Sequence, residues 1–316
     1  MQHRTSRNMY GRDHRPVLLV PRGARTHRSP LGARVHPAAR AVVAILAAIA
    51  LLGGTGCSSA QEQADRIIVT GSTTILPIAE QAAESFTSKH PSTSVLVSGL
   101  GSSAGIEAVS AGTSQIGTSS RDLKDEEASL GLVDTPIAYD GIAVIVSPKN
   151  PVKNLTMAQL RAIFAGEITN WKTVGGDDRA IDVVNRDEAS GTREAFKKIV
   201  MGDVGFAPAA AVLPGTGQVR DVVARATGAI GYISIGFVKP RFTGVSVKAL
   251  RVDGIVASEK TVADNSYPIG RKLHFFTKGA PTGLTKEFID FVLSDEIQKG
   301  VVVDAGFIPI AEGGTR

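Results

Sequence analysis

The sequence contains a single cysteine, Cys57, among 316 residues. No internal disulfide can form, and no cysteine metal site can be assembled from one thiol. Of six histidines only His90 and His274 lie beyond residue 56. No His/Asp/Glu cluster has metal-ligand spacing, so neither a metal nor a cofactor is expected. Aromatic residues make up 5% of the chain. A positive excess is missing over most of its length, although the formal net charge is +5. Residues 1–56 hold nine arginines and one acid, Asp13, and the rest carries 26 basic and 29 acidic residues. No basic patch interleaved with aromatics remains, which excludes nucleic acid as a partner. There is no G-x-x-x-x-G-K-[ST] loop, so nucleotide hydrolysis would fall to another chain.

The basic leader ends at Arg40 and is followed by twelve apolar residues, Ala41 to Leu52, and then Gly53-Gly-Thr-Gly-Cys57. A basic region, a short apolar core and small residues predict a secretory signal over 1–56, too short to cross a bilayer comfortably. The cysteine stands at the expected cleavage point. This resembles a bacterial lipobox with Gly54 in the place of the usual Leu, so Cys57 is the expected lipidation site and 57–64 a polar tether.

Three loops then share one composition. Thr70-Gly-Ser-Thr-Thr-Ile-Leu-Pro77, Gly99-Leu-Gly-Ser-Ser-Ala-Gly105 and Arg186-Asp-Glu-Ala-Ser-Gly-Thr-Arg193 each follow a strand signal and precede a helix signal. Serine and threonine at such places cap helices in most proteins. Three such loops, one carrying Arg186, supply hydroxyls, free backbone N–H groups and a guanidinium, all donors. Donors at helix N-termini suit an anion, and an arginine fork can bond two oxygens of a tetrahedral oxyanion at once. A fourth polar stretch, Gly117-Thr-Ser-Ser-Arg-Asp122, closes a short apolar strand.

Strand and helix signals alternate from Arg66 to about Ala111, which predicts an α/β fold with a parallel sheet. Asp140–Val146 predicts a buried strand, closed by Ser147-Pro-Lys-Asn-Pro151 as a crossover between domains. Residues 155–164 predict a helix with Thr156 as its cap. Further strands are expected at 181–185, 229–234 and 267–277, with helices at 285–293 and 295–302. Gly215-Thr-Gly217 reads as a turn before a helix, and Trp171 as packed under its loop.

These residues resemble the PstS-type phosphate-binding lipoproteins of bacterial phosphate ABC transporters. The resemblance is carried by Gly71-Ser-Thr-Thr74, Gly101-Ser-Ser-Ala-Gly105, Ile116-Gly-Thr-Ser-Ser-Arg121, Ile163 through Trp171, Arg186 through Thr192, and Gly231-Tyr232, in the family's order. It implies a two-domain type II periplasmic-binding-protein fold closing on its ligand like a hinged clamp. Domain one would take 65–146 and 236–316, and domain two 147–235. The resemblance further implies a phosphate site of Ser72, Thr73, Thr74 and Ser102 from domain one, Ser120 and Arg121 from the loop after the third strand, and Arg186, Ser190, Gly191 and Thr192 from domain two. Some members carry Asp where Ser120 stands, and that carboxylate accepts the proton of hydrogen phosphate, which sulfate lacks. Asp140 is the expected substitute acceptor, with Asp122 second. The implied partners are inorganic phosphate, a permease pair with its ATPase, and the membrane through a lipid anchor. The implied state is an extracytoplasmic monomer.

Two other functions fit parts of the sequence. A receptor for sulfate, molybdate or tungstate would use the same donor loops. A serine hydrolase would read Gly101-Ser-Ser-Ala-Gly105 as G-x-S-x-G, with Ser103 as nucleophile and His274 downstream, but acid and oxyanion-hole signals are missing.

Overall fold

The computed structural model describes residues 65–239 and 246–311. The expected signal, lipidation site and tether therefore lie outside the described residues. Three strands, β1 (Arg66–Gly71), β2 (Ser94–Gly99) and β3 (Ile116–Ser119), alternate with helices α1 (Leu76–Lys89) and α2 (Ser102–Ala111). The long strand β4 (Leu132–Val146) follows, then β5 (Asn154–Leu155), α3 (Met157–Ala165) and β6 (Asp182–Arg186). The chain continues through α4 (Gly191–Phe196), β7 (Ala211–Leu213), α5 (Thr216–Arg225) and β8 (Ala229–Ser234). It ends with β9 (Lys248–Ala249), β10 (Arg251–Val252), α6 (Glu259–Ala263), β11 (Gly270–Lys278), α7 (Gly283–Val292) and β12 (Ile308–Pro309).

The main sheet runs β2-β1-β3-β11-β4-β8-β6-β7. Its outer pairs are parallel, as the alternating pattern requires, but β11 and β4 run antiparallel to their neighbours. The sheet is thus mixed, not purely parallel. Strand β4 joins its two halves. Asp140 and Gly141 still pair with Arg271 and Gly270 of β11, and from Ile142 onward β4 pairs with β8, beginning at Ser234. Residues 248–249 pair with the far end of β4, and 251–252 with β5. That short segment therefore runs from the end of β4 to a strand in the middle of the chain.

Strand β4 begins eight residues before the buried run visible in sequence. Its first part is interrupted by Pro136, which removes a ladder donor. The strand tolerates it through a bulge, where pairing jumps from Ala138 to Pro136 and skips Ile137. The carbonyl of Ile137 is satisfied instead by the Gln298 side chain at 3.0 Å.

One buried hydrophobic cluster runs through both halves of the sheet. On one side α1 buries Ile78, Ala79, Ala82, Ala83 and Phe86, residues at helical spacing, and Phe86 meets Phe288 edge-on at 5.3 Å. On the other, Phe196 stacks on Tyr232 at 4.2 Å, with Phe164 against both. Trp171 is buried under its loop as expected, its indole N–H donating to the Gly228 carbonyl at 2.8 Å. Thr156 caps α3 in a capping box with Gln159. Among the described residues no helix is long and apolar enough to cross a membrane.

Candidate anion-binding site

The first loop begins where β1 meets β3. A Cβ at Gly71 would fall 2.1 Å from the Thr118 carbonyl oxygen, and its φ is +146°, so only glycine fits. This approach lets the Ser72 N–H bond both the Thr118 carbonyl (3.0 Å) and its hydroxyl (2.7 Å). The Ser72 hydroxyl in turn accepts from the Thr74 N–H at 3.2 Å. Ser72 and Thr74 are buried as α1 starts.

The second loop is folded back by two bonds to the Gly71 carbonyl, from Leu100 and Gly101, both at 2.8 Å. It delivers Ser102 to the start of α2. The buried Ser102 hydroxyl accepts from the Ser120 N–H at 3.1 Å and lies 3.4 Å from the Ser120 hydroxyl. From the other half of the sheet, β6 ends at Arg186 and its loop turns into α4. Ser190 caps that helix, accepting from the Arg193 N–H at 3.2 Å. The capping role thus coexists with placement at the cleft.

The two sets of loops touch. Ser103 N–H donates to the Ala189 carbonyl at 3.1 Å, the Thr74 and Thr192 hydroxyls are 3.2 Å apart, and those of Thr73 and Thr216 are 3.0 Å apart. Gly191 faces Ser102 and Ser120 closely enough that a Cβ would collide with both hydroxyls. Of the residues expected from sequence, Thr73, Thr74, Ser102, Ser120, Gly191 and Thr192 thus meet directly across the cleft. Ser72 and Ser190 build the backbone at its two edges. Arg186 stands behind Thr216, donating to its hydroxyl at 3.3 Å and to the carbonyls of Leu213 (3.0 Å) and Pro214 (2.8 Å). The Gly215-Thr-Gly217 turn therefore belongs to the site.

Two of the expected ligands are bonded elsewhere in this structure. The Arg121 guanidinium is held by Glu127 through two bonds, 2.6 and 2.8 Å, and also bonds the Asp122 carbonyl and the Ser103 hydroxyl. Burial acts most strongly, to raise the Glu127 carboxyl, but the bonds from Arg121 and the Lys124 N–H, with the positive charges of both side chains, together outweigh it and hold the carboxyl below its ordinary value. Four N–H groups of Arg121 are thus committed, to Glu127, to the Asp122 carbonyl and to Ser103 of the second loop. Asp140 is completely buried and has no oxygen to spare. Its Oδ2 accepts from Arg271 Nε (2.9 Å) and Nη2 (2.7 Å), and the carboxylate also takes the Ser234 hydroxyl (2.7 Å) and the Ile235 N–H. A carboxylate offers about four lone-pair positions, so none is left to accept a ligand proton.

The residue missed in sequence is Arg271. It lies in β11 opposite Asp140, in a stretch that reads only as a continuing strand. Its Nη1 donates to the Ser120 carbonyl (3.0 Å) and the Thr192 hydroxyl (2.9 Å), and Nη2 to Thr74 (3.4 Å). An arginine buried in a strand is the available signal, since a buried charge needs a partner. Two guanidiniums thus converge on the cleft. Burial, chiefly, lowers the pKa of Arg186, with the positive charge of Arg271 adding to the effect and Asp187 opposing it. Arginine nevertheless keeps its charge at any physiological pH.

His274 is buried beside the site, with Nδ1 2.8 Å from Asp134 and Nε2 3.5 Å from Asp122, whose carboxylate also faces Lys198 at 3.5 Å. The Ser103 hydroxyl bonds Arg121, and no described contact joins it to His274, so the hydrolase pairing is not assembled. Burial works against a charged imidazole, but the two carboxylates win and raise the His274 pKa above its ordinary 6.5. The neighbouring His274 imidazole is the main reason that Asp122 is held at about 2. A raised folded-state value gives stability that is complete below 6.5 and is lost as pH rises through the folded value. The melting temperature is therefore expected to fall as pH is taken from 6 to 9, and His274→Gln to flatten that slope. Parallel slopes for both proteins in a melting series would remove His274 as the cause.

A sheet whose halves are joined by crossing strands, with donor loops meeting between them, defines a receptor of the periplasmic-binding-protein class. A family model described as a PBP superfamily domain matches residues 58–296. The phosphate-binding protein PstS of Bacillus subtilis (strain 168) is 37% identical over 249 residues, covering 78% of this chain and 81% of its own. The PstS of Borreliella burgdorferi is 32% identical over 260 residues, covering 79% and 92%. A crystal structure from Clostridium perfringens, assigned as a phosphate ABC transporter substrate-binding protein and containing bound phosphate, matches with 41% identity and a TM-score of 0.74 over 78% of this chain and 99% of its own. The chain belongs to the PstS family of phosphate-binding proteins.

Proposed function

We propose that this chain captures inorganic phosphate outside the cytoplasm and delivers it to an ABC permease pair powered by a separate ATPase chain. It acts as a monomeric, non-enzymatic receptor, tethered through a lipid on Cys57. Residues 65–146 with most of the C-terminal segment form one lobe and the middle of the chain the other. The carrying observation is that hydroxyls and N–H groups from both halves of the sheet converge where two buried guanidiniums meet. An anion leaves water only if such donors replace its hydration shell. The relative with bound phosphate makes that anion phosphate. The proposed ligand residues are Thr73, Thr74, Ser102, Ser120, Arg186, Ser190, Gly191 and Thr192.

The saturation of Asp140 favours a second reading, a receptor that takes other tetrahedral oxyanions as well. Without a free carboxylate, the proton of hydrogen phosphate must be accepted by a hydroxyl such as that of Ser120 or Ser102, and discrimination against sulfate weakens. Titrating the anion-stripped protein calorimetrically with phosphate and sulfate at pH 5, 7 and 8.5 tests both. Phosphate binding is expected at every pH, with sulfate competing at higher concentration. Equal affinity for the two would broaden the receptor to oxyanions in general. Silence of both ions would sink the proposal.

A further inference from the structure

We propose that Arg271 is a positioning residue which aims the hydroxyl hydrogens of Thr74 and Thr192 at the anion and ties them to the strands joining the two halves of the sheet. The inference rests on the reading of the cleft as an oxyanion site.

The argument is a count of hydrogens. A guanidinium has five N–H groups and no acceptor. Arg271 spends two on Asp140, one on the Ser120 carbonyl, one on Thr192 and one on Thr74. A threonine hydroxyl has one hydrogen and can both accept and donate. When its oxygen accepts from a guanidinium, its own hydrogen must point elsewhere. The Thr74 and Thr192 oxygens lie 3.2 Å apart, and only one of them can donate to the other. At least one hydrogen therefore remains to be given, and an anion beside the pair can take both. The fork thus narrows the choice of direction for two donors, one on each side of the cleft, by excluding the positions that face the guanidinium. Pre-set donors bind an anion better than free rotors because their orientation is already fixed.

The fork itself is fixed by Asp140. This carboxylate stands opposite Arg271 in the β4–β11 ladder and accepts from Ser234 on β8. One buried group thus joins three strands at the point where β4 changes partner. The division of labour with Arg186 follows. Arg271 is neutralised by Asp140 at 2.7 Å, whereas the nearest carboxylate to Arg186 is Asp187 at 3.9 Å. Arg186 supplies charge and Arg271 supplies direction.

The test is a double-mutant cycle read by phosphate calorimetry on the whole protein. Arg271→Gln with Asp140→Asn removes both charges and leaves neither buried alone. It is expected to weaken phosphate binding about 10- to 100-fold. Thr74→Val with Thr192→Val is expected to weaken the unmodified protein strongly, but to add much less in the Arg271→Gln/Asp140→Asn background, because hydroxyls that are no longer aimed have less to lose. Strict additivity, or unchanged affinity of the Arg271→Gln/Asp140→Asn protein, overturns the positioning role. Arg271→Lys, which keeps a cation beside Asp140 and loses the fork, carries the same cycle if the double variant does not fold. Failure of the unmodified protein to bind phosphate is a different outcome, which overturns the functional reading and this inference with it.

Discussion

Gly191→Ala is expected to leave the protein folded and to abolish tight phosphate binding. Gly191 opens α4 with ordinary helical geometry, so alanine strains nothing in the backbone, and in a helix it is favoured over glycine by up to about 1 kcal/mol. The obstacle lies across the cleft. The added Cβ would stand 2.2 Å from the Ser102 hydroxyl and 2.8 Å from that of Ser120. Neither can swing aside freely, because the Ser102 oxygen already accepts from the Ser120 N–H. The halves must separate, and the bonds that close the cleft, from Ser103 to Ala189 and between Thr74 and Thr192, lengthen together. Each charge-assisted bond to the ligand lost in this way is worth about 1.5–3 kcal/mol, so two suffice for a loss of about 100-fold or more. Calorimetry paired with melting curves separates the two expectations. The unliganded protein should still unfold in one cooperative transition, its helix gain offset by the lost cross-cleft bonds, and the rise in melting temperature produced by phosphate should vanish. Binding at full strength in this variant would mean that the ligand is held with the cleft open.

The contrast between Gly191 and Arg271 shows what a sequence of this kind discloses. The donor loops were legible because their chemistry is local. Each is a strand, a few small polar residues and a helix, and the order of residues alone places hydroxyls at a helix start. Arg186, Ser190 and Thr192 could be read as donors for that reason, whereas Ser102 and Gly191 were named through the resemblance to the PstS-type proteins. Arg271 could not, because its role depends on standing opposite Asp140 across a strand ladder, a pairing between residues far apart in the chain. The same gap hides the partners of Asp140. A lone acidic residue opening an apolar strand looks available, and only the fold shows that Arg271, Ser234 and a backbone N–H have taken its oxygens. Strand β4 shows the limit at the level of the fold. Its buried half is an unbroken apolar run, but its first half carries Asp134 and Pro136 and reads as a loop until the bulge that accommodates the proline is seen.

Arg186→Ala is expected to weaken phosphate binding by at least tens of fold and to destabilise the protein as well. The two effects have separate origins. Arg186 is almost fully buried, and its donors hold the Leu213 and Pro214 carbonyls and the Thr216 hydroxyl. Thr216 in turn meets Thr73 from the other half. Removing the side chain deletes the less compensated of the two positive charges at the cleft and also frees the turn that carries Thr216. Loss of a buried charged partner costs about 2–5 kcal/mol in comparable complexes, which is about 30-fold or more in affinity. Carbonyls left without donors cost about 1–3 kcal/mol each where water does not reach them, and that part appears in stability without ligand. Arg186→Lys divides the contributions. It keeps the charge but loses the fork, which braces two carbonyls at once. An intermediate affinity with stability close to that of the alanine variant is the expected result. Calorimetry with phosphate and denaturant unfolding without it measure the two terms independently. Reduced stability with undiminished affinity in Arg186→Ala would confine Arg186 to bracing the 213–216 turn. The charge that attracts the anion would then have to come from Arg271, despite its pairing with Asp140.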